Sequence, residues 1–175
     1  MASPYDTQTY LLDRANIYDT VIRLTINIDL ESFEGLVKDV YAPEVVIDYT
    51  SMFGGKPMET TAKEWSDSLR PLMEAYDGHQ HIVSAVLIEL PQPGKGVTRP
   101  DKCKVIANVE GHMFRRAARG GPMMHNGGRY HLDLVRLPEL EAKGENPWRI
   151  TRHGTHLVWE DGSTDVMAAV ARIGN

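Results

Sequence analysis

Apolar residues recur every third or fourth position between Thr9 and Ile28, where Leu11, Leu12, Ala15, Tyr18, Val21, Ile22 and Thr25 alternate with Asp13, Arg14, Asp19 and Arg23. That period predicts an amphipathic helix, broken at Asp29 and Ser32. Residues 30–40 (LESFEGLVKDV) predict a second helix with Phe33, Leu36, Val37 and Val40 on one side, stopped by Ala42-Pro43 because proline disfavours helical geometry in the residue before it. The β-branched run 44–51 (EVVIDYTS) predicts a strand, followed by a turn at Phe53-Gly54-Gly55-Lys56-Pro57. A third helix is expected from Thr60 or Thr61. Thr61 and Glu64 have capping-box spacing, Trp65, Leu69, Leu72, Met73 and Tyr76 continue an apolar face, and Pro71 should bend it.

The pattern then changes to long alternating runs. Residues 81–90 and 103–115 predict strands on either side of a polar hairpin, PQPGKGVTRPDK, whose prolines and glycines cannot continue either one. A glycine-rich connection at 117–128 leads to a strand at 129–137, and a charged loop leads to a last strand at 148–159. Residues 1–8 read as a loose arm and 164–172 as a short terminal helix followed by a tail. Helices first and strands afterwards give an α+β order, in which mainly antiparallel strands curl around the helices on one face and enclose a pocket. Nothing divides the 175 residues, so a single domain over 1–175 is expected.

Composition narrows the partners. The 24 Asp and Glu outnumber the 19 Lys and Arg, giving a formal net charge of −5, and the basic cluster Arg115, Arg116 and Arg119 has no interleaved aromatics. This argues against nucleic acid. No apolar stretch approaches the ~18 residues of a membrane span, and the first residues lack the order of a signal peptide, so no membrane association and a cytoplasmic location are expected. Cys103 stands alone, which excludes an internal disulfide and the multi-cysteine zinc modules. The seven histidines are the chemistry left to place.

The order of segments carries a resemblance: a first helix ending in NID29, then LVKDVYAPEVVIDYTS, a helix bearing Glu64-Trp65, GHQHIVS, GGRYHLDLVR and PWRI. It resembles the SnoaL-like families of the NTF2-like superfamily, and within them is most similar to scytalone dehydratase and the bile-acid dehydratases. The resemblance implies a cone of about three helices wrapped by a strongly curved mixed sheet, with the active site inside. It places Asp29 on the family's aspartate after the first helix, Tyr49 on a tyrosine that binds the substrate carbonyl through water, and His81 on a catalytic histidine. His131 falls where scytalone dehydratase has an asparagine, and Leu24 where the bile-acid dehydratases have a tyrosine. The family's second histidine falls in strict register on Val109, with His112 the nearest histidine on that strand.

The residues themselves support several roles. His81 starts a strand after a short turn, and an imidazole with a pKa near ~6.5 is the side chain best suited to moving a proton at neutral pH. Asp29 either caps the second helix or orients a histidine and stabilises its imidazolium. Tyr49 either packs on its strand or donates a hydrogen bond to a developing oxyanion. Asp48 cannot face the cavity beside Tyr49 on a regular strand, and it is assigned to structural hydrogen bonding. His112 and His131, the latter oriented by Asp133, are pocket partners or solvated strand residues. Leu24, Phe53, Trp65, Met113 and Asp133 are placed around the substrate.

His79-Gln80-His81 has a metal-ligand spacing, but the rest of a cupin-like motif is missing, and no metal is assigned. Gly120, Gly121, Gly127 and Gly128 form a flap beside the pocket or a plain surface loop. His153 and His156 fall on opposite faces of the last strand. The expected function is a cofactor-free acid–base enzyme, a dehydratase, cyclase or isomerase, acting on a hydrophobic carbonyl-bearing small molecule of polyketide or terpenoid secondary metabolism. A homo-oligomer, dimer or trimer, is expected. The alternative is a non-catalytic NTF2-like module that binds a ligand or partner chain.

Overall fold

The computed structural model describes residues 5–169. Helix α1 (Thr7–Asp29) begins two residues earlier than the periodicity suggests, because the Asp6 side chain accepts the backbone N–H of Thr9 at 2.7 Å and caps the first turn. Tyr5, 1% exposed, is packed beneath that start, so residues 5–8 are not a loose arm, and residues 1–4 lie outside the described region. A single turn, α2 (Phe33–Gly35), runs into a π-helical turn at Leu36–Val40 and then into β1 (Tyr41–Asp48). Helix α4 (Ala62–Met73) has the expected capping box, with Thr61 and Glu64 satisfying each other's backbone N–H groups, and contains Pro71.

Two of the strand boundaries that differ from expectation have a clear local cause. β1 ends at Asp48 because its carboxylate accepts the Thr50 N–H at 3.2 Å and the Thr50 hydroxyl at 2.7 Å, and this turn starts the short helix α3 (Thr50–Phe53). Tyr49 therefore stands past the strand end. The glycine-rich segment is also not all loop, since β5 (Met123–Arg136) takes in Gly127 and Gly128. There the Trp159 indole lies where a Cβ on Gly127 would be, 2.3 Å away, so only glycine lets the strand pair there. A four-residue strand, β2 (Met58–Thr61), precedes α4.

With β3 (Gly78–Glu89), β4 (Lys102–Phe114), the short helix α5 (Pro138–Glu141) and β6 (Trp148–Gly162), the strands form one curled six-stranded sheet in the order β2-β1-β6-β5-β4-β3. The β1–β6 pairing is parallel and the rest antiparallel. Thr164–Ala169 form a 3-10 turn, and the remaining residues of the expected terminal helix lie outside the described region. No helix among the described residues is long and apolar enough to cross a membrane.

Helix α1 lies along the concave face of the sheet, and its stripe Ile17, Val21, Leu24 and Ile28 meets the inward residues of β4 and β5 in one continuous core. Leu24 is fully buried there and does not reach the cavity. The cavity opens at the C-terminal end of α1, one turn further on, where Ile28 lines it. At the other end, buried Asp13 accepts hydrogen bonds from Arg99 and from the Trp148 indole at 2.9 Å, fixing α1 to the 90–101 loop and to β6.

Strand alternation sends several expected site residues outward. On β4 the odd positions from Cys103 to Met113 are buried, so His112 faces away from the cavity toward His125 and Glu110. On β5 the even positions Tyr130, Leu132 and Leu134 face in, so His131 and Asp133 lie on the outer face. These placements remove His112, His131, Asp133 and Leu24 from the pocket.

Candidate active site

The cone encloses a cavity of about 560 Å³. Ile28, Ile47, Leu69, Leu72, Met73 and Val109 form much of its apolar wall, while Met52, Phe53, Lys56 and Met58 stand around α3 and the turn that follows. Trp65, Met113 and Met167 also line it, as Phe53 does. The polar groups among the lining include His79, His81, Asn126, Tyr49, Tyr76, Tyr130, Thr50, Ser68, Thr155 and Lys56. A mainly apolar cavity with a small number of convergent polar groups is the usual form of a small-molecule site.

His81 and Asp29 come together at this wall. Asp29 is the last residue of α1, and its carboxylate takes the backbone N–H of His81 at 2.8 Å and the ring Nδ1–H at 2.6 Å. A carboxylate only accepts, so Nδ1 carries the proton and the opposite nitrogen, Nε2, holds the basic lone pair of the neutral ring. Burial alone would raise the Asp29 carboxyl, but His79, His81 and the His81 backbone N–H outweigh it and hold the group at about 2. Asp29 thus remains ionised beside the imidazole. The expected alternative, a cap on the second helix, is not its contact: Ser32 is the residue preceding α2.

Room for the ring comes from β4. Gly111 pairs with His81, and a Cβ there would stand 3.8 Å from His81 Cδ2 and 3.0 Å from Asn126 Oδ1. Val109, the position matched to a second family histidine, does face the cavity and contributes only apolar surface.

Tyr49 lines the same cavity. Its ring packs against Trp65 at 5.7 Å, Phe53 at 6.2 Å and His153 at 5.3 Å between centroids. Burial pushes its hydroxyl up to about 12, against a smaller pull from Thr155, so it stays a protonated donor. Asp48 turns the other way and pairs with Arg152 and Thr50 outside the cavity. The end of β1 just before Tyr49 is what lets these neighbours diverge.

Pattern reasoning missed His153 as part of this region. It is fully buried, 4.7 Å from the Tyr130 ring centroid, with Nδ1 2.9 Å from the Tyr41 hydroxyl. The Trp65 indole donates to that same hydroxyl at 3.1 Å, and the His153 Nε2 is buried without a hydrogen-bond partner. His79 also belongs here: it lines the cavity, and alternation of HxH along β3 was its sequence signal. Asn126 was hidden in the glycine-rich run. Among the described residues, no group of three or more His, Cys, Asp or Glu is arranged to hold a metal ion.

This geometry meets a family description. The SnoaL-like domain matches residues 9–153. The chain belongs to the SnoaL-like domain family. No curated protein matches it in sequence. Among solved structures it is similar to the Kfla4162 protein from Kribbella flavida, at 21% identity and TM-score 0.75 over 92% of this chain and 99% of that one. It is also similar to a scytalone dehydratase candidate from Novosphingobium aromaticivorans, at 16% identity and TM-score 0.69 over 90% and 91%. A third is the type 3 hexachlorocyclohexane dehydrochlorinase LinA from Novosphingobium barchaimii, at 14% identity and TM-score 0.66 over 87% and 91%. At these identities the SnoaL-like chain shares the fold with them.

Proposed function

We propose that this SnoaL-like protein is an acid–base lyase or isomerase whose own side chains act on an apolar, carbonyl-bearing small molecule. The observation that carries the proposal is the 2.6 Å contact between His81 Nδ1 and Asp29 at the wall of an apolar cavity. Nε2 of His81 takes a proton from the carbon next to the carbonyl. Asp29 stabilises the imidazolium, and the Tyr49 hydroxyl donates to the oxygen on which charge develops.

Expulsion of a leaving group, a double-bond shift and ring closure all follow from that proton transfer. Elimination is favoured among them, because two of the similar structures bear the names dehydratase and dehydrochlorinase. The cavity's volume and apolar wall suit a compound of polyketide or terpenoid kind.

The test needs no natural substrate. Apolar ketones incubated with the protein in D₂O should exchange hydrogen beside the carbonyl, read by NMR, and His81→Ala should lower the rate by roughly 10²-fold or more. Exchange that proceeds equally without the imidazole would overturn the assignment of His81 as the base.

A further inference from the structure

His79 and His81 stand at alternate positions of β3 and project from the same face toward one carboxylate. His81 makes the close contact with Asp29. His79 Nδ1 lies 3.6 Å from the same Asp29 oxygen, and its Nε2 lies 3.6 Å from Glu31 Oε1. The His79 side chain is 5% exposed and its Nδ1 has no hydrogen-bond partner, whereas the Glu31 carboxylate is half-exposed. A buried imidazole therefore sits between the carboxylate that serves the site and one that meets solvent.

The end of α1 creates this arrangement. Glu31 adopts φ 54°, the left-handed region uncommon for residues other than glycine, and its N–H closes onto the carbonyl of Ile28 at 3.0 Å. The chain reverses there and leaves Glu31 beside β3. Other groups near His79 add little charge: Tyr76 meets its ring edge-on at 6.1 Å, and Met113 is its neutral partner on β4. Asp77 is turned to Arg116, and Gln80 with His112 occupies the opposite face of the sheet. The carboxylates that act on His79 are those of Asp29 and Glu31, and His81 shares Asp29 with it.

We propose that His79 is a positioning residue for the dyad: when it carries a proton it competes for the charge of Asp29, and so keeps His81 unprotonated and able to act as a base. The proposal rests on the reading of His81 as that base. Asp29 beside it, against the cost of burial and with help from Glu31, raises His79 above the ordinary imidazole value, which favours its protonated form.

The test is an NMR titration of the histidine ring protons in the full chain without substrate. In the wild type the His81 curve should be broadened by the titration of His79, as for any two coupled sites. In His79→Gln the curve should become single-site and its midpoint should rise by about half a pH unit or more. The acid limb of kcat/KM should move in the same direction. A single-site His81 curve in the wild type overturns the proposal even if the variant fails to fold, and so does an unmoved midpoint in a folded variant. The two readings fail separately. A moved midpoint without His81-dependent hydrogen exchange sinks the catalytic assignment and leaves the coupling standing, while exchange with an unmoved midpoint does the reverse.

Discussion

Asp29 holds His81 twice, by the backbone N–H and by the ring, and the two contacts fix both the position of this stretch of β3 and the tautomer of the imidazole. Asp29→Asn keeps an acceptor but removes the charge that stabilises the imidazolium. The variant should fold and lose roughly 10²-fold or more in turnover or hydrogen exchange. A rate within a few-fold of wild type would show that the carboxylate only anchors the backbone.

Gly111 gives a second prediction, about space rather than charge. A valine there would push branches toward Asn126 and the edge of His81, from a Cβ already 3.0 Å from Asn126 Oδ1. Gly111→Val should cost about 1–3 kcal/mol in a denaturant melt and should lower exchange more than it lowers stability at working temperature. Wild-type kinetics in that variant would mean that the His81 ring has room to move away without loss.

Asp13 is fully buried and takes three hydrogen bonds, from Arg99 Nε at 2.9 Å, Arg99 Nη2 at 2.7 Å and the Trp148 indole at 2.9 Å. Asp13→Ala leaves a partly buried guanidinium facing an apolar space, with Glu141 as its remaining partner. A loss of about 3–5 kcal/mol is expected, measured by urea unfolding, with the His81–Asp29 geometry unchanged at the far end of α1. A loss under about 1 kcal/mol would show that Glu141 and solvent compensate the charge.

His153 should control stability in acid. Burial, with a smaller contribution from His81, lowers it from 6.5 to about 3 in the folded chain. The unfolded chain therefore binds the extra proton between those values, so the stability contributed by a neutral His153 is complete above about pH 6.5 and is lost as pH falls toward 3. The urea midpoint should fall across that window, with a slope of at most about 1.4 kcal/mol per pH unit from this group. His153→Gln, which retains an acceptor for Tyr41, should flatten the slope. Parallel wild-type and variant curves would place the acid sensitivity elsewhere.

Local chemistry made much of this molecule readable from its residues. The 3.6-residue period marked α1, the Thr61–Glu64 box marked the start of α4, and alternation marked β3 and β4 to within about three residues. His81, Asp29 and Tyr49 were singled out by resemblance and by residue type; His81 and Tyr49 line the same cavity, and Asp29 is bonded to His81. Expectations failed where a side chain or a glycine made a tertiary contact. The Asp48–Thr50 turn ended β1 early, and the Trp159 indole over Gly127 made strand out of an apparent loop.

The facing of the later histidines shows where sequence stops and tertiary structure begins. Period-2 alternation by itself says that His153 and His156 lie on opposite faces, and they do. Which face is inward depends on a bulge: Arg152 pairs with Asp133 and Ile150 with Leu134, so Thr151 is an extra residue on β6, tied by its hydroxyl to the Asp133 carbonyl at 3.1 Å. That one residue shifts the inward phase from Trp148 and Ile150 to His153 and Thr155. No local preference encodes it, because the phase is set by two neighbouring strands and the core they close on. The sequence determined most of the elements and supplied the titratable candidates, and the curvature and register of the sheet decided which of them share a cavity.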